Sequence, residues 1–151
     1  MKREESDLKI TSSAFDNEGD IPAKYTCDGE GINPPLHIET IPEYAKTLAL
    51  IVEDPDAPNG PFYHWVVWNI DPVTDIKEGS NPGTSGDNSA GKSGYHPACP
   101  PSSSHRYYFH VFALNASLNL LAGSKKQDLQ TAMEGHIMGK GTLMGRYERN
   151  K

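Results

Sequence analysis

Cysteine is scarce in this chain: only Cys27 and Cys99 occur among 151 residues. Both stand in turn-like surroundings, Thr26-Cys27-Asp28-Gly29 and Ala98-Cys99-Pro100-Pro101. Two free thiols are the default for a cytosolic protein. A bridge between them would close a loop of about 70 residues and stabilise by roughly 3–5 kcal/mol, and the sequence leaves that alternative open. Long hydrophobic runs are also missing. The longest aliphatic stretch, Leu48 to Val52, falls far short of the ~20 residues of a membrane span, so no integral membrane association is expected. Positive charge is in deficit, with a formal net charge of -6, which argues against a general binder of nucleic acid or anionic membranes. No apolar segment follows the basic pair Lys2-Arg3, so no signal peptide is read and a cytoplasmic location is expected. The length fits one domain over 1–151 with a flexible N-terminus over 1–7.

What is present is a series of β-favouring segments separated by Pro, Gly and Asp. Thr47-Leu48-Ala49-Leu50-Ile51-Val52 is apolar on both faces and predicts a fully buried strand. His64 to Ile70 predicts a second strand, joined to the first as an antiparallel hairpin. The strand over 106–114 is apolar or aromatic on both faces and should be central. Further strands are predicted over 8–12 and 142–148, with a short edge strand over 34–38 because of its prolines. One helix is expected, with Ser124 as N-cap, Gln127 completing a capping box, and Leu129, Ala132, Met133, His136 and Ile137 on its apolar face. Gly139 would end it. The polar stretch 73–94 is long for a loop in a compact domain. Gly91-Lys92-Ser93 inside it is a weak phosphate-loop signal. These counts suggest a mainly β (α+β) architecture with a helix packed beside an antiparallel sheet.

Polar groups gather at strand ends. Asp54 closes one strand and His64 opens its neighbour, so a carboxylate and an imidazole should meet at the lip of a rigid scaffold. Cys99-Pro100-Pro101 and His105-Arg106-Tyr107 meet a third strand in the same way. Such a pocket suits a small polar or zwitterionic group, since imidazole, phenol and loop N–H groups can donate to an anion. The alternative is that Asp54 and Asp56 bond turn backbones and the histidines are satisfied strand-end residues. Asp54, Asp56, His64, His105 and Cys99 are suitable metal ligands by type, but no two histidines have a tight ligand spacing, so no metal is expected. Nucleophilic catalysis by Ser102, Ser103 or Ser104 would need His105 or His64 as base. The chain lacks a Gly-x-Ser-x-Gly elbow, and no enzyme activity is expected.

Asp54-Pro55-Asp56-Ala57-Pro58 with His64-Trp65, and Cys99-Pro100-Pro101 with His105-Arg106-Tyr107, resemble the two signature regions of the phosphatidylethanolamine-binding protein family. The likeness is to its bacterial and archaeal, Raf-kinase-inhibitor-like branch. Ile21 to Gly29, Asn33-Pro34-Pro35-Leu36 and Gly141 to Tyr147 support it in the right order. The resemblance implies a large antiparallel sheet packed with a smaller sheet and one or two peripheral helices. It also implies a small pocket for anionic groups such as phosphate head groups, with no cofactor. Asp54, His64, His105 and Tyr107 then become the pocket walls, with Cys99 and Pro101 at the lip and Asp56 close behind. Arg106 is assigned to a structural pair with a carboxylate such as Asp56. Relatives usually carry glycines where His96-Pro97-Ala98 and Ser102-Ser103-Ser104 stand here, so side chains should narrow the mouth. The chain ends soon after its last strand, where eukaryotic members continue into a helix, and kinase regulation is not part of the expectation. A second role, inhibition of a serine protease or another enzyme through the 73–94 loop, is the alternative. An uncharacterised hydrolase is a third.

Overall fold

The computed structural model describes residues 6–149. Its elements are β1 (Ser6–Asp7), β2 (Lys9–Thr11), β3 (Leu36–Glu39), β4 (Thr47–Asp54), β5 (Phe62–Ile70), β6 (Asp75–Ile76), β7 (Thr84–Ser85), β8 (His105–Leu114), α1 (Lys126–Met133) and β9 (Ile137–Tyr147). Six strands form one sheet in the order β1-β9-β8-β4-β5-β7, and β2-β3-β6 form a second. All pairings are antiparallel except β1 with β9. This is the mainly β arrangement expected, with a large sheet, a smaller one and one α-helix.

The alternation of β4 explains its apolar run. Leu48, Leu50 and Val52 face the core shared with Ile10, Leu36, Ile38 and Ile76 of the small sheet. Ala49 and Ile51 face a second cluster with Leu129 and Met133 of α1. Both faces of the central strands are therefore covered, and a strand with two covered faces reads as continuously apolar.

Several boundaries differ from the sequence reading, each for a local reason. Residues 6–7 belong to β1 rather than to a flexible terminus, and positions 1–5 lie outside the described residues. The strand expected at an edge, β3, is the middle of its sheet. Its prolines precede the paired residues, so no ladder donor is lost. The helix starts one residue later than expected, with Asp128 accepting the Lys125 N–H at 2.9 Å. Ser124 instead donates to the Leu121 carbonyl at 2.7 Å. It also ends earlier, because Gly135 adopts φ +80. His136 lies beyond it and Ile137 opens β9. Gly139 is thus inside a strand, where a Cβ would come within 3.0 Å of the Ser6 carbonyl. Glycine there admits β1 against β9 rather than stopping a helix.

The 73–94 segment is not a plain loop. It contributes β6 to one sheet and β7 to the other. Gly86 to Ser93 has the Gly-x-x-x-x-Gly-Lys-Ser spacing of a phosphate loop, but no helix follows it, as that motif requires. Asn88 organises the turn instead, accepting from the N–H groups of Ala90 and Lys92 and donating to the Gly94 carbonyl.

The cysteines are joined, contrary to the free-thiol default. Cys27 and Cys99 form a disulfide with Cα atoms 5.4 Å apart. The default rested on compartment and not on geometry. Here Thr26 and Ala98 pair as an isolated bridge, and Cys27 N–H donates to the Ala98 carbonyl. That pairing brings the two Cα atoms within bonding range. Among the described residues no helix is long and apolar enough to cross a membrane.

Candidate functional site

β4 runs antiparallel to both β5 and β8, so its C-terminal end lies beside the N-terminal ends of those strands. Asp54 continues the alternation of Leu48, Leu50 and Val52, and His105 and Tyr107 continue that of Phe109 and Val111. The site is thus the end of the inter-sheet core, where apolar residues give way to polar ones.

His64 arrives by a different route. Val52 pairs with Trp65 and Glu53 with Tyr63, so His64 is the extra residue of a β-bulge. Trp65 belongs to the inter-sheet core. The His64 ring also lies on that side, 5.3 Å from the Tyr107 ring at 79°. Strict alternation would send His64 to the opposite face. The bulge re-aims it, a recurrent use of bulges beside functional sites.

The result is a small cavity of about 150 Å³. Its walls include Asp54, His64, His105, Tyr107, Cys99 and Pro101, which brings six of the seven sequence-predicted residues together. Asp56 is the exception and does not line it. Its carboxylate accepts from Arg106 Nη2 at 2.8 Å and from Arg106 Nε and backbone N–H at 2.9 Å each. Those contacts, Nε and Nη2 foremost, hold its carboxyl down at about 2. The Asp56–Arg106 pair expected from the sequence is therefore present, and it occupies Asp56.

Asp54 is also doubly engaged. His105 Nδ1–H donates to Oδ2 at 2.7 Å, and the Asp56 N–H donates to Oδ1 at 2.8 Å. The turn-bonding alternative thus holds for one oxygen, while the other orients an imidazole. His64 Nδ1–H donates to the His96 carbonyl at 2.8 Å. Because a carbonyl can only accept, this contact fixes the proton on Nδ1 and leaves Nε2 as the acceptor of a neutral ring. Burial pushes the His64 pKa down to about 4, which keeps the ring neutral at pH 7. The Tyr107 hydroxyl is buried and has no hydrogen-bond partner among the described residues. Burial, and then the Asp54 carboxylate, push its pKa up, so it remains a donor.

Residues that the strand-end argument missed are Phe62, His96 and Pro97. The Phe62 ring is 4.7 Å from His64 and 5.5 Å from His96. His96 and Pro97 occupy positions flagged for narrowing the mouth, and both line the cavity. Ser102, Ser103 and Ser104 do not. The lining holds no serine or threonine, and Cys99 is in the disulfide. Among the described residues no group of three or more His, Cys, Asp or Glu is arranged to hold a metal ion.

The rim is anchored both to β5 of the large sheet and to the loops around it. The disulfide fixes Cys99, and the His96 N–H donates to the His64 carbonyl at 2.8 Å. The Tyr95 hydroxyl donates to the Tyr25 carbonyl at 2.8 Å. The cavity is thus preformed by contacts that need no ligand.

Comparison with known proteins bears on the family and the fold. The family model described as phosphatidylethanolamine-binding protein matches residues 11–148. A UPF0098 protein of Pyrococcus horikoshii is 48% identical over 157 residues, covering 97% of this chain and 79% of that protein. A crystal structure described as a phosphatidylethanolamine-binding protein homologue from Chlamydia trachomatis superposes with a TM-score of 0.93 at 44% identity, covering 96% of this chain and 99% of that one. A structure from E. coli, described as a new member of the mammalian family, gives a TM-score of 0.86 at 24% identity and covers 96% and 100% of the two chains. The last likeness bears on the fold alone.

Proposed function

The chain belongs to the phosphatidylethanolamine-binding protein family, and on that premise we propose that it is a non-catalytic binding protein whose pocket holds a small oxyanion such as a phosphate head group. The observation that carries this reading is the buried Tyr107 hydroxyl. It lines the cavity without a protein partner, and a buried donor left unpaired calls for something to receive it. Two imidazoles flank it, each with Nδ1 engaged and Nε2 left over. At about 150 Å³ the cavity is below the roughly 300–1,000 Å³ of sites for drug-sized ligands. It fits a head group and not a whole lipid.

A binding role is favoured over hydrolysis because the lining supplies no serine, threonine or free cysteine to act as nucleophile. The inhibitor alternative gains nothing from 73–94, whose two short strands build that segment into both sheets. The cytoplasmic location is part of the same proposal. With a Cys27–Cys99 disulfide it requires a cytosol in which disulfides persist.

Titrating O-phosphorylethanolamine while following the His64 and His105 imidazole signals by NMR tests the reading. Saturable shifts of both rings at or below millimolar ligand are expected. Unmoved rings at that concentration refute it.

A further inference from the structure

Many anion pockets use a cationic side chain, and the lining of this one offers neither lysine nor arginine. One carboxylate, Asp54, stands in its wall. Arg106, the nearest guanidinium by sequence, is turned to Asp56 and to the Tyr108 hydroxyl. The titratable groups facing the cavity are Asp54 from β4, His64 from β5, His105 and Tyr107 from β8, and His96 from the rim. Asp54 is an acceptor already occupied by two donors. His64 Nε2 is an acceptor, because Nδ1 holds the proton for the His96 carbonyl. Tyr107 offers a donor, and His105, with Nδ1 on Asp54, has Nε2 left over.

A fully ionised oxyanion placed here would meet the lone pair of His64 Nε2 with no proton between them. Two acceptors facing each other in a buried site lose a hydrogen bond and leave both groups desolvated. An oxyanion that carries one proton meets the same atom with a hydrogen bond.

Resting on the oxyanion reading above, we propose that the pocket binds its ligand together with a proton: it selects a phosphomonoester in its singly charged form, whose P–OH donates to His64 Nε2 while an ionised oxygen accepts from Tyr107. Sulfate has charge without a proton. A phosphodiester has one charge and no P–OH. Both lack the group that His64 reads. The depressed pKa of His64, caused first by its burial, means that the ring does not readily supply the proton itself, so the ligand brings it. The selected chemistry is shared by free phosphate and by small phosphate monoesters, and it excludes the diester linkage of an intact phospholipid.

The test is a calorimetric titration of the wild-type protein with methyl phosphate, dimethyl phosphate and sulfate between pH 5.5 and 8.5. A phosphate monoester loses its second proton near pH 6, so methyl phosphate affinity is expected to fall roughly tenfold per pH unit well above that value. At pH 6, dimethyl phosphate and sulfate are expected to bind roughly tenfold or more weakly than the monoester. At pH 7.5, heats in two buffers of different ionisation enthalpy should report an uptake of about one proton per methyl phosphate bound. Nitrogen-detected NMR of the free protein should find His64 Nδ1 protonated and Nε2 bare. Sulfate or the diester binding as tightly as the monoester overturns the inference while leaving the oxyanion pocket standing. So does affinity that is flat in pH without proton uptake, or a His64 ring protonated at Nε2. Absence of binding by all three anions at every pH overturns the pocket reading as well.

Discussion

Asp54 holds His105 at 2.7 Å with the two side chains 4% and 6% exposed, whereas Asp56 holds Arg106 at 2.8 Å with 28% and 42% exposed. The acids are two residues apart and the bases adjacent, yet only the first pair faces the cavity. Asp54 is the last residue of β4 and inherits the face of Val52. Asp56 lies beyond the strand, and Arg106 points to the other side of β8 from His105 and Tyr107. Chemistry separates them further. Arg106 makes two parallel contacts with Asp56, the bidentate geometry that suits a structural clamp. His105 uses one nitrogen on Asp54 and has another to offer. A charged pair becomes part of a site when its strand aims it inward and one partner keeps a spare polar atom.

Replacing Asp54 with alanine should break this contrast most severely. It leaves His105 buried without its acceptor and Asp56 N–H without its turn bond, a loss on the order of 3–5 kcal/mol. Chemical denaturation should report that loss, and O-phosphorylethanolamine should no longer move the His105 signal. A melting curve within error of wild type would mean that the pair is not the buried anchor described.

The next effect in size separates the cavity from the surface by pH. Unfolded His64 takes up a proton below about pH 6.5, while the folded ring resists until about pH 4 because it is buried. The folded state therefore binds fewer protons in that window, and stability should fall as pH drops from 6.5 towards 4. The contribution is on the order of 3 kcal/mol across the whole window. His64→Gln should flatten that part of the stability profile. An unchanged slope would show that His64 titrates elsewhere.

Asp56→Ala should cost least. The pair is half-exposed, and exposed pairs contribute little to stability. Denaturation should show less than half of the Asp54→Ala loss, and phosphorylethanolamine affinity should stay within about twofold. The Asp56 carboxyl is held at about 2, mainly by the Arg106 side chain. Its contribution is present above the ordinary carboxylate range and lost as pH falls from near 4 towards 2, so the variant should unfold over a less steep acid limb. Equal losses from the two alanine variants would erase the distinction between anchor and clamp.

Legibility in the sequence follows the same division. Asp54 and His105 could be placed because each is a polar residue at the end of an apolar strand, and Tyr107 through the family resemblance; the face each side chain takes was hidden, because β4 and β8 are apolar on both sides. His64 was found because it opens the strand next to the one that Asp54 closes, yet the bulge that aims it has no signature in the residues. One inserted position reverses every later side chain, and alternation alone cannot detect it. The rim was harder. His96 and Pro97 stood out only as departures from glycines in relatives, and Phe62 gave no signal, since the turn was read as running to His64. Composition could not decide the disulfide, because Thr26 and Ala98 meet only after both loops have folded. The helix boundaries failed where two adjacent sites, Ser124 and Lys125, both offer a start, and where Gly135 outweighs the apolar spacing of His136 and Ile137. Asp56 was assigned to the pocket through the family resemblance, while Arg106, named beforehand as its partner, takes both its oxygens.

The sulfur link between residues 27 and 99 also gives the molecule a closed circuit of chain, with β3 to β7 inside it and β8, α1 and β9 outside. A single cut anywhere along 73–94 would open that circuit without dividing the protein. The two pieces would remain one covalent molecule, with both signature segments still attached to the same mouth.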